Sequence, residues 1–542
     1  MILKAGRLWR TLRHLRPVQL YGRLWFRLNR PRADLSAHPP LRRAQGNWSH
    51  PAEREPSMTA PTRFRFLNAE ANLEEVGWDD PARPKLWRYN QHYFEDLTAR
   101  GWRSRAQWHE ALIAAWIAQN PPGQGTGWEP YPTSLRIINW IKWALAGGNL
   151  SVAAMQSLAV QTRWLLRRLE WHLLGNHIFI NAKALTFAGL FFDGEEAKRW
   201  LDKGLSILAQ EIDEQFLPDG GQFELSPMYH ALAVEDLLDL ANISAAYPGS
   251  RAGQMEALVR SRAALALRWL FLMSHPDGGI AFFNDAALGV APPNQQLYNY
   301  AKRLGISSDF RLSEINHLPA SGYVRLARGP VTLIADFARV GPDYLPGHAH
   351  ADTLSFEMSF NRQRLFVNSG TSEYGIGSER HRQRGTAAHN CLLVENQNSS
   401  EVWAGFRVGR RAVPREVQVG HQGEELFAAG AHDGYLHLGK HIVPRRQYRL
   451  SDNKLVIEDL LEGATRAEAR YHLHPSIEIG DLSAQSASLI LPDRTHLRLA
   501  MESGAVRCEK VNWHPQFGMT VPTRCLVLPL RDGAARLNLS WA

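Results

Sequence analysis

Three short stretches of the chain carry residue types that move protons. The densest is Gly347-His348-Ala349-His350-Ala351-Asp352. Read as a strand, it places His348, His350 and Asp352 on one side. Three such groups on one face are costly to bury unless they bind metal or do acid–base work. The second stretch is Glu224-Leu225-Ser226-Pro227-Met228-Tyr229-His230. Ser226 suits a helix N-cap and Pro227 the first helical position, which puts Tyr229 in the first turn. The positive helix end is expected to lower the pKa of that phenol. The third is Gly175-Asn176-His177, read as an interhelical loop after a helix that ends near Leu174, with Gly175 closing it.

Other residues could bind rather than react. Arg380, Arg382 and Arg384 form a basic patch suited to anions, and His389 follows shortly after. Trp128-Glu129-Pro130-Tyr131-Pro132 reads as a loop whose rings line a groove. Each feature has a plainer reading: turn residues, packing rings or a surface charge cluster. Gly123–Gly127 lacks the Lys-Ser/Thr of a phosphate loop, so nucleotide binding is unsupported. Cys391, Cys508 and Cys525 give neither a disulfide scaffold nor a paired-cysteine zinc pattern.

The elements that must hold these residues change along the chain. Its 542 residues, 44% of them hydrophobic, can bury a sizeable core. Residues 1–50 form a basic arm, with eleven Lys or Arg and a single acid, Asp34. They carry +10 of the net +9, leaving −1 for the rest, so the body is not basic and its overall charge does not indicate a polyanionic partner. Leu8, Leu12, Leu15, Tyr21, Leu24, Trp25 and Leu28 recur at helical spacing within the arm. That stripe is expected to pack on its own domain; the competing reading is contact with an anionic membrane surface or polymer. Residues 51–84 read as linker and loops. Residues 85–315 have helical periodicity, in stretches near 105–119, 133–147, 152–174, 180–192, 195–214, 226–247, 254–274 and 293–304. Two Pro-Asp-Gly-Gly turns, at 218–221 and 276–279, suggest helical hairpins with equivalent loops on one rim. From 316 to 542 apolar and polar residues alternate in short runs, as in an antiparallel β-sandwich. The expected class is α+β multidomain, helices first and sheets second.

In order along the chain, GNHIFINAKAL, LPDGGQFELSPMYH, HPDGGIAFFND, GHAHADTLSFEM and AHNCLLVENQ resemble the heparinase II/III-like polysaccharide lyases, a group that includes related alginate lyases. The resemblance runs from about Trp87 to Arg411. It implies an incomplete (α/α) toroid joined to an antiparallel β-sandwich, and β-elimination on a uronic-acid polysaccharide. By motif, Asn176 would neutralise the uronate carboxylate. His177 and His348 would supply base and charge stabiliser. Tyr229 would protonate the leaving oxygen, and act as base on the opposite C5 epimer. Trp128, Tyr131, Glu224, Arg380, Arg384 and Arg407 would contact substrate.

No cofactor is needed for that chemistry. Relatives hold a structural zinc through residues that match His350 and His389, but Asn368 stands where a carboxylate is expected. Asp352 or water would have to substitute. The expected partner is an anionic polysaccharide, with no nucleic acid; oligomeric state is left open. Neither a secretory signal nor a membrane span is evident in the sequence, which suggests a cytoplasmic or inner-membrane-associated protein, with the periplasm as the family-based alternative. Two other functions compete: a toroidal glycoside hydrolase using Asp219 and Glu224, and a non-catalytic polysaccharide-binding or assembly factor in exopolysaccharide biosynthesis.

Overall fold

A computed structural model describes residues 2–251, 253–439, 441–463 and 466–541. Helices dominate as far as Arg303 and strands take over from Ile315. The architecture is an incomplete helical toroid followed by an antiparallel β-sandwich.

The toroid is built from helical hairpins. Its innermost helix, Gly175–Phe191, buries fifteen of its seventeen residues. It therefore shows little amphipathic pattern, as expected of a helix surrounded by protein. Glu195–Gln215 packs against it through glycine: a Cβ on Gly204 would stand 2.4 Å from Thr186 Oγ1, and one on Gly189 2.5 Å from Leu201 N. The sequence reading ran one helix from 152 to 174. The structure ends that helix at Leu166 and starts the next at Gly175. Positive φ angles at Leu174 and Gly175 turn the chain between them.

The two Pro-Asp-Gly-Gly segments form the same turn. Leu217 N donates to Gly221 O, and His275 N to Gly279 O, each at 2.8 Å. Gly220 and Gly278 both adopt φ of 92°, a left-handed conformation that favours glycine. The first turn leads into Glu224–Tyr229 and the second into Asn284–Asp285.

All sheet pairings of the sandwich are antiparallel. A five-stranded sheet spans residues 315–366, and a four-stranded sheet continues it through the Phe366–Leu473 bridge. An eight-stranded sheet supplies the other layer, and one apolar cluster joins residues of all three sheets. Pro444–Leu450 alternates buried and half-buried residues as a one-sided strand should. Val331–Asp336 is buried throughout. Its second face meets the toroid: Ile334 and Tyr323 share a cluster with Leu225, Trp269 and Phe283. That apolar joint fixes the sandwich against the toroid.

Two segments differ from the sequence reading. Within the expected linker, Met58–Ala60, Arg63–Phe66 and Ala69–Asn72 form a small antiparallel sheet. The basic arm forms helices α1 (Ile2–Leu12) and α2 (Pro17–Leu28), and α2 turns its apolar stripe outward instead of packing it.

Candidate active site

A cleft of about 1060 Å³ lies between toroid and sandwich. Asn176, His177, Tyr229, His348, Tyr131, Glu224 and Arg407 all line it.

On the toroid side, Asn176 and His177 sit in the first turn of Gly175–Phe191, not in a loop. Unpaired N–H groups and the helix dipole make such a position favourable for an anion. The Asn176 amide is half-buried and has no side-chain hydrogen bond among the described residues. His177 Nδ1 lies 3.2 Å from Glu170 Oε2, and its ring centre is 4.8 Å from that of Tyr131. Burial opposes a charge on His177, but Glu170, with Glu224 and Glu129, outweighs it and raises the pKa above the ordinary value.

On the opposite side, the predicted strand carrying the two histidines is a loop between Val331–Asp336 and Phe356–Phe360. No strand ladder holds it there; contacts with Asp285 and with the Arg384 carbonyl do. Asp285 N donates to His348 O at 3.0 Å. Its carboxylate meets His348 Nδ1 at 2.9 Å and His350 Nε2 at 2.8 Å. Arg380 binds both carboxylate oxygens. Burial would raise the pKa of Asp285, but Arg380 and the histidine hydrogen bonds hold it well below the carboxylate range. It is therefore an anion that accepts Nδ1–H from His348, leaving Nε2 unprotonated in neutral imidazole. Glu224 Oε2 lies 3.6 Å from that Nε2.

Tyr229 joins the two sides. Ser226 Oγ accepts from Tyr229 N, and Pro227 opens the helix, as the sequence predicts. The Tyr229 ring stacks on His348 at 3.9 Å, and its hydroxyl is 2.9 Å from Tyr374 Oη. The expected fall in its pKa is wrong. Burial, then the neighbouring Tyr374 and Asp285, push it well above 10, and the helix end does not compensate.

Several expected substrate contacts lie elsewhere. Trp128 is in the core, stacked edge-on against Trp164. Arg380 is buried beneath the site on Asp285, and Arg384 is buried with its donors on the carbonyls of Ala349, Ala404 and Gly405. Arg382 pairs with Glu379. The basic run thus builds the site's floor, because a helical segment, Ser378–Arg384, carries it inward. Most cleft cations are neutralised: Lys183 by Asp236 and Asp239, Lys142 by Asp239, Arg54 by Glu235. Arg407 and the arm residue Arg23 line the cleft without an acidic partner among the described residues. Burial and the nearby Arg407 lower the Arg23 pKa.

The sequence reading missed Asp285, Tyr374, Glu170 and Arg23. Asp285 had a signal, since it closes the HPDGGIAFFND motif, and Arg23 lies in the basic arm; Tyr374 and Glu170 sit in stretches without a distinguishing pattern.

Beside the site, His350, His389 and Asp352 bring donor atoms within 4.8 Å of one another, all buried. His350 Nδ1 and His389 Nε2 are 3.2 Å apart. Two imidazoles and a carboxylate suit zinc, and Asp285 orients His350 through its other nitrogen as metal-bound histidines usually require. Asn368 is outside the group: its amide donates to Phe282 O and accepts from Asn390 N.

Comparisons with known proteins agree with this layout. Residues 92–308 match the family description "Heparinase II/III N-terminus", and residues 311–542 match "Heparinase II/III-like, C-terminal". A heparin-sulfate lyase of Bacteroides stercoris is 27% identical over 41% of this chain, a stretch that spans only 36% of that enzyme. An FtsZ-localized protein C of Caulobacter vibrioides is 25% identical over 94% of this chain and 90% of its own length. A crystal structure of heparinase III superposes with a TM-score of 0.66 at 17% identity, covering 85% of this chain and 78% of that one.

Proposed function

The chain belongs to the heparinase II/III family, and from that premise we propose that it cleaves a uronate-containing polysaccharide by β-elimination. The observation that carries this reading is the stack of Tyr229 on His348, with His348 anchored to Asp285.

The proton on C5 of a uronate is weakly acidic until its carboxylate is neutralised. Asn176 and His177, whose charged form Glu170 favours, hold that carboxylate at a helix N-terminus and stabilise charge that develops on it. His348 Nε2 takes the C5 proton, and Glu224 stabilises the imidazolium so formed. The C4–C5 double bond forms as the C4–O4 bond breaks. Tyr229, kept protonated by its raised pKa, gives its proton to O4. Tyr131 borders His177, and Arg407 and Arg23 contact further anionic groups. Zinc held by His350, His389 and Asp352 would tie the His348 loop to residues 386–390 and fix His350, and would supply structure to the site.

Asp219 is unsuited to the hydrolase reading, because its carboxylate accepts from Gly221 N, Ser321 N and Ser321 Oγ within a turn. Binding without turnover is the second reading, and the products separate it from elimination.

Mass spectrometry of products from a panel of uronate polysaccharides tests the proposal. Elimination gives fragments whose masses sum to the parent, one of them unsaturated. Fragments that together gain one water would establish hydrolysis, and binding without fragments would favour the second reading.

A further inference from the structure

The geometry points to the outer face of α2, with the adjoining part of α1, as a docking surface for an anionic lipid bilayer. The helix inverts the usual arrangement. Its inward residues, at spacing i, i+3, i+7, are Gln19, Gly22 and Phe26. Gln19 Nε2 donates to Tyr344 O at 3.1 Å. Gly22 leaves 3.2 Å between a would-be Cβ and His172 Cβ. Phe26 packs on the His172 ring at 4.3 Å, with the Arg168 guanidinium 3.6 Å from its centre. The outward residues Leu20, Tyr21, Leu24, Trp25 and Leu28, at i, i+1, i+4, i+5, i+8, are 53–70% exposed. Trp9 of α1 is 67% exposed.

The attachment is specific, so the exposed stripe is not a detached tail. Arg10 pairs with Glu401 of the sandwich at 2.8 Å, and Trp403 Nε1 donates to Thr11 Oγ1 at 3.1 Å. Arg16 pairs with Glu214 of the toroid and lies over the Tyr344 ring. The arm is thus held to both domains while its apolar face points away from them.

Charge selects the occupant. Arg13, Arg27 and Arg30 are exposed and have no acidic partner among the described residues. Tryptophan, tyrosine and leucine flanked by arginines match an interfacial helix, whose rings enter the headgroup boundary while the cations meet anionic lipid. A second copy would bring like charges together. At 11 and 12 residues, α1 and α2 are too short to span a bilayer, and no helix among the described residues is long and apolar enough to do so. The surface therefore lies on the membrane. Because Thr11, Leu12, Leu15, Gln19 and Arg23 also line the cleft, docking would bring the cleft mouth beside the bilayer.

Vesicle flotation of the full chain tests this, using phosphatidylcholine with or without phosphatidylglycerol. The expected result is flotation with the phosphatidylglycerol vesicles alone, weakened by salt. A Leu24→Glu/Trp25→Glu variant should bind at least tenfold more weakly while its circular dichroism and melting temperature stay unchanged. Arg27→Gln/Arg30→Gln should bind roughly tenfold or more weakly. The inference is overturned if the wild type does not float, if it floats equally on both compositions, or if the Leu24/Trp25 variant floats normally. Light scattering on the same samples covers the other occupant. A wild-type dimer that the variant loses, without flotation, would assign the face to a second copy.

Discussion

His177 and His348 face one cleft from opposite domains, yet their surroundings prepare them for different tasks. His177 stands on a helix N-terminus, with Glu170 as its partner and 32% of its side chain exposed. Glu170 and nearby carboxylates favour its charged form. His348 sits on an irregular loop with 14% of its side chain exposed, and Asp285 fixes its Nδ1. Glu170 favours the charged form of the first ring, whereas Asp285 fixes the second with its Nε2 turned toward Glu224. The difference comes from which carboxylate reaches the ring, and how, since the residue type is the same.

The strongest way to break the comparison is at the residue that joins the two sides. Tyr229→Phe should lower kcat by about 10²–10⁴-fold, the usual worth of a positioned acid, with the fold intact by circular dichroism. Next is the anchor on the His348 side. Asp285→Asn leaves Arg380 buried without its anion and should cost about 3–5 kcal/mol, read as a lower urea midpoint. Glu170→Gln keeps a side-chain oxygen for the Asn181 amide and sharpens the contrast instead. The raised His177 pKa keeps the ring charged below that value and loses the charge as pH rises through it. Removing Glu170 lowers that pKa, so the alkaline limb of kcat/KM should move to lower pH. An unmoved limb would detach His177 charge from the reaction. The smallest effect should come from the cleft edge: Arg407→Gln raises KM roughly three- to tenfold at low salt, less at high salt, with kcat unchanged.

What the sequence could reveal follows the range of the interactions. Ser226, Pro227 and Tyr229 were legible because a cap, a first-turn proline and the next turn depend on neighbours in the chain. The Pro-Asp-Gly-Gly repeat was legible because a left-handed glycine is a local requirement. The Tyr229 pKa was misjudged because burial raises it most, and Tyr374 and Asp285, distant in sequence, raise it further. Arg380 and Arg384 looked like surface cations; nothing local indicates that Asp285 and the carbonyls of 349, 404 and 405 await them in the interior. The arm shows the same limit. Its apolar spacing correctly marked helices, but helical spacing alone does not say which face the body covers.

The most direct measurement is ultraviolet absorbance followed in real time, with wild type and Tyr229→Phe on a polymer that the wild type cleaves. The account predicts a steady rise from 4,5-unsaturated ends for the wild type, and at least a hundredfold slower rise for the folded variant. Cleavage without that absorbance, or near-normal absorbance from Tyr229→Phe, would contradict it.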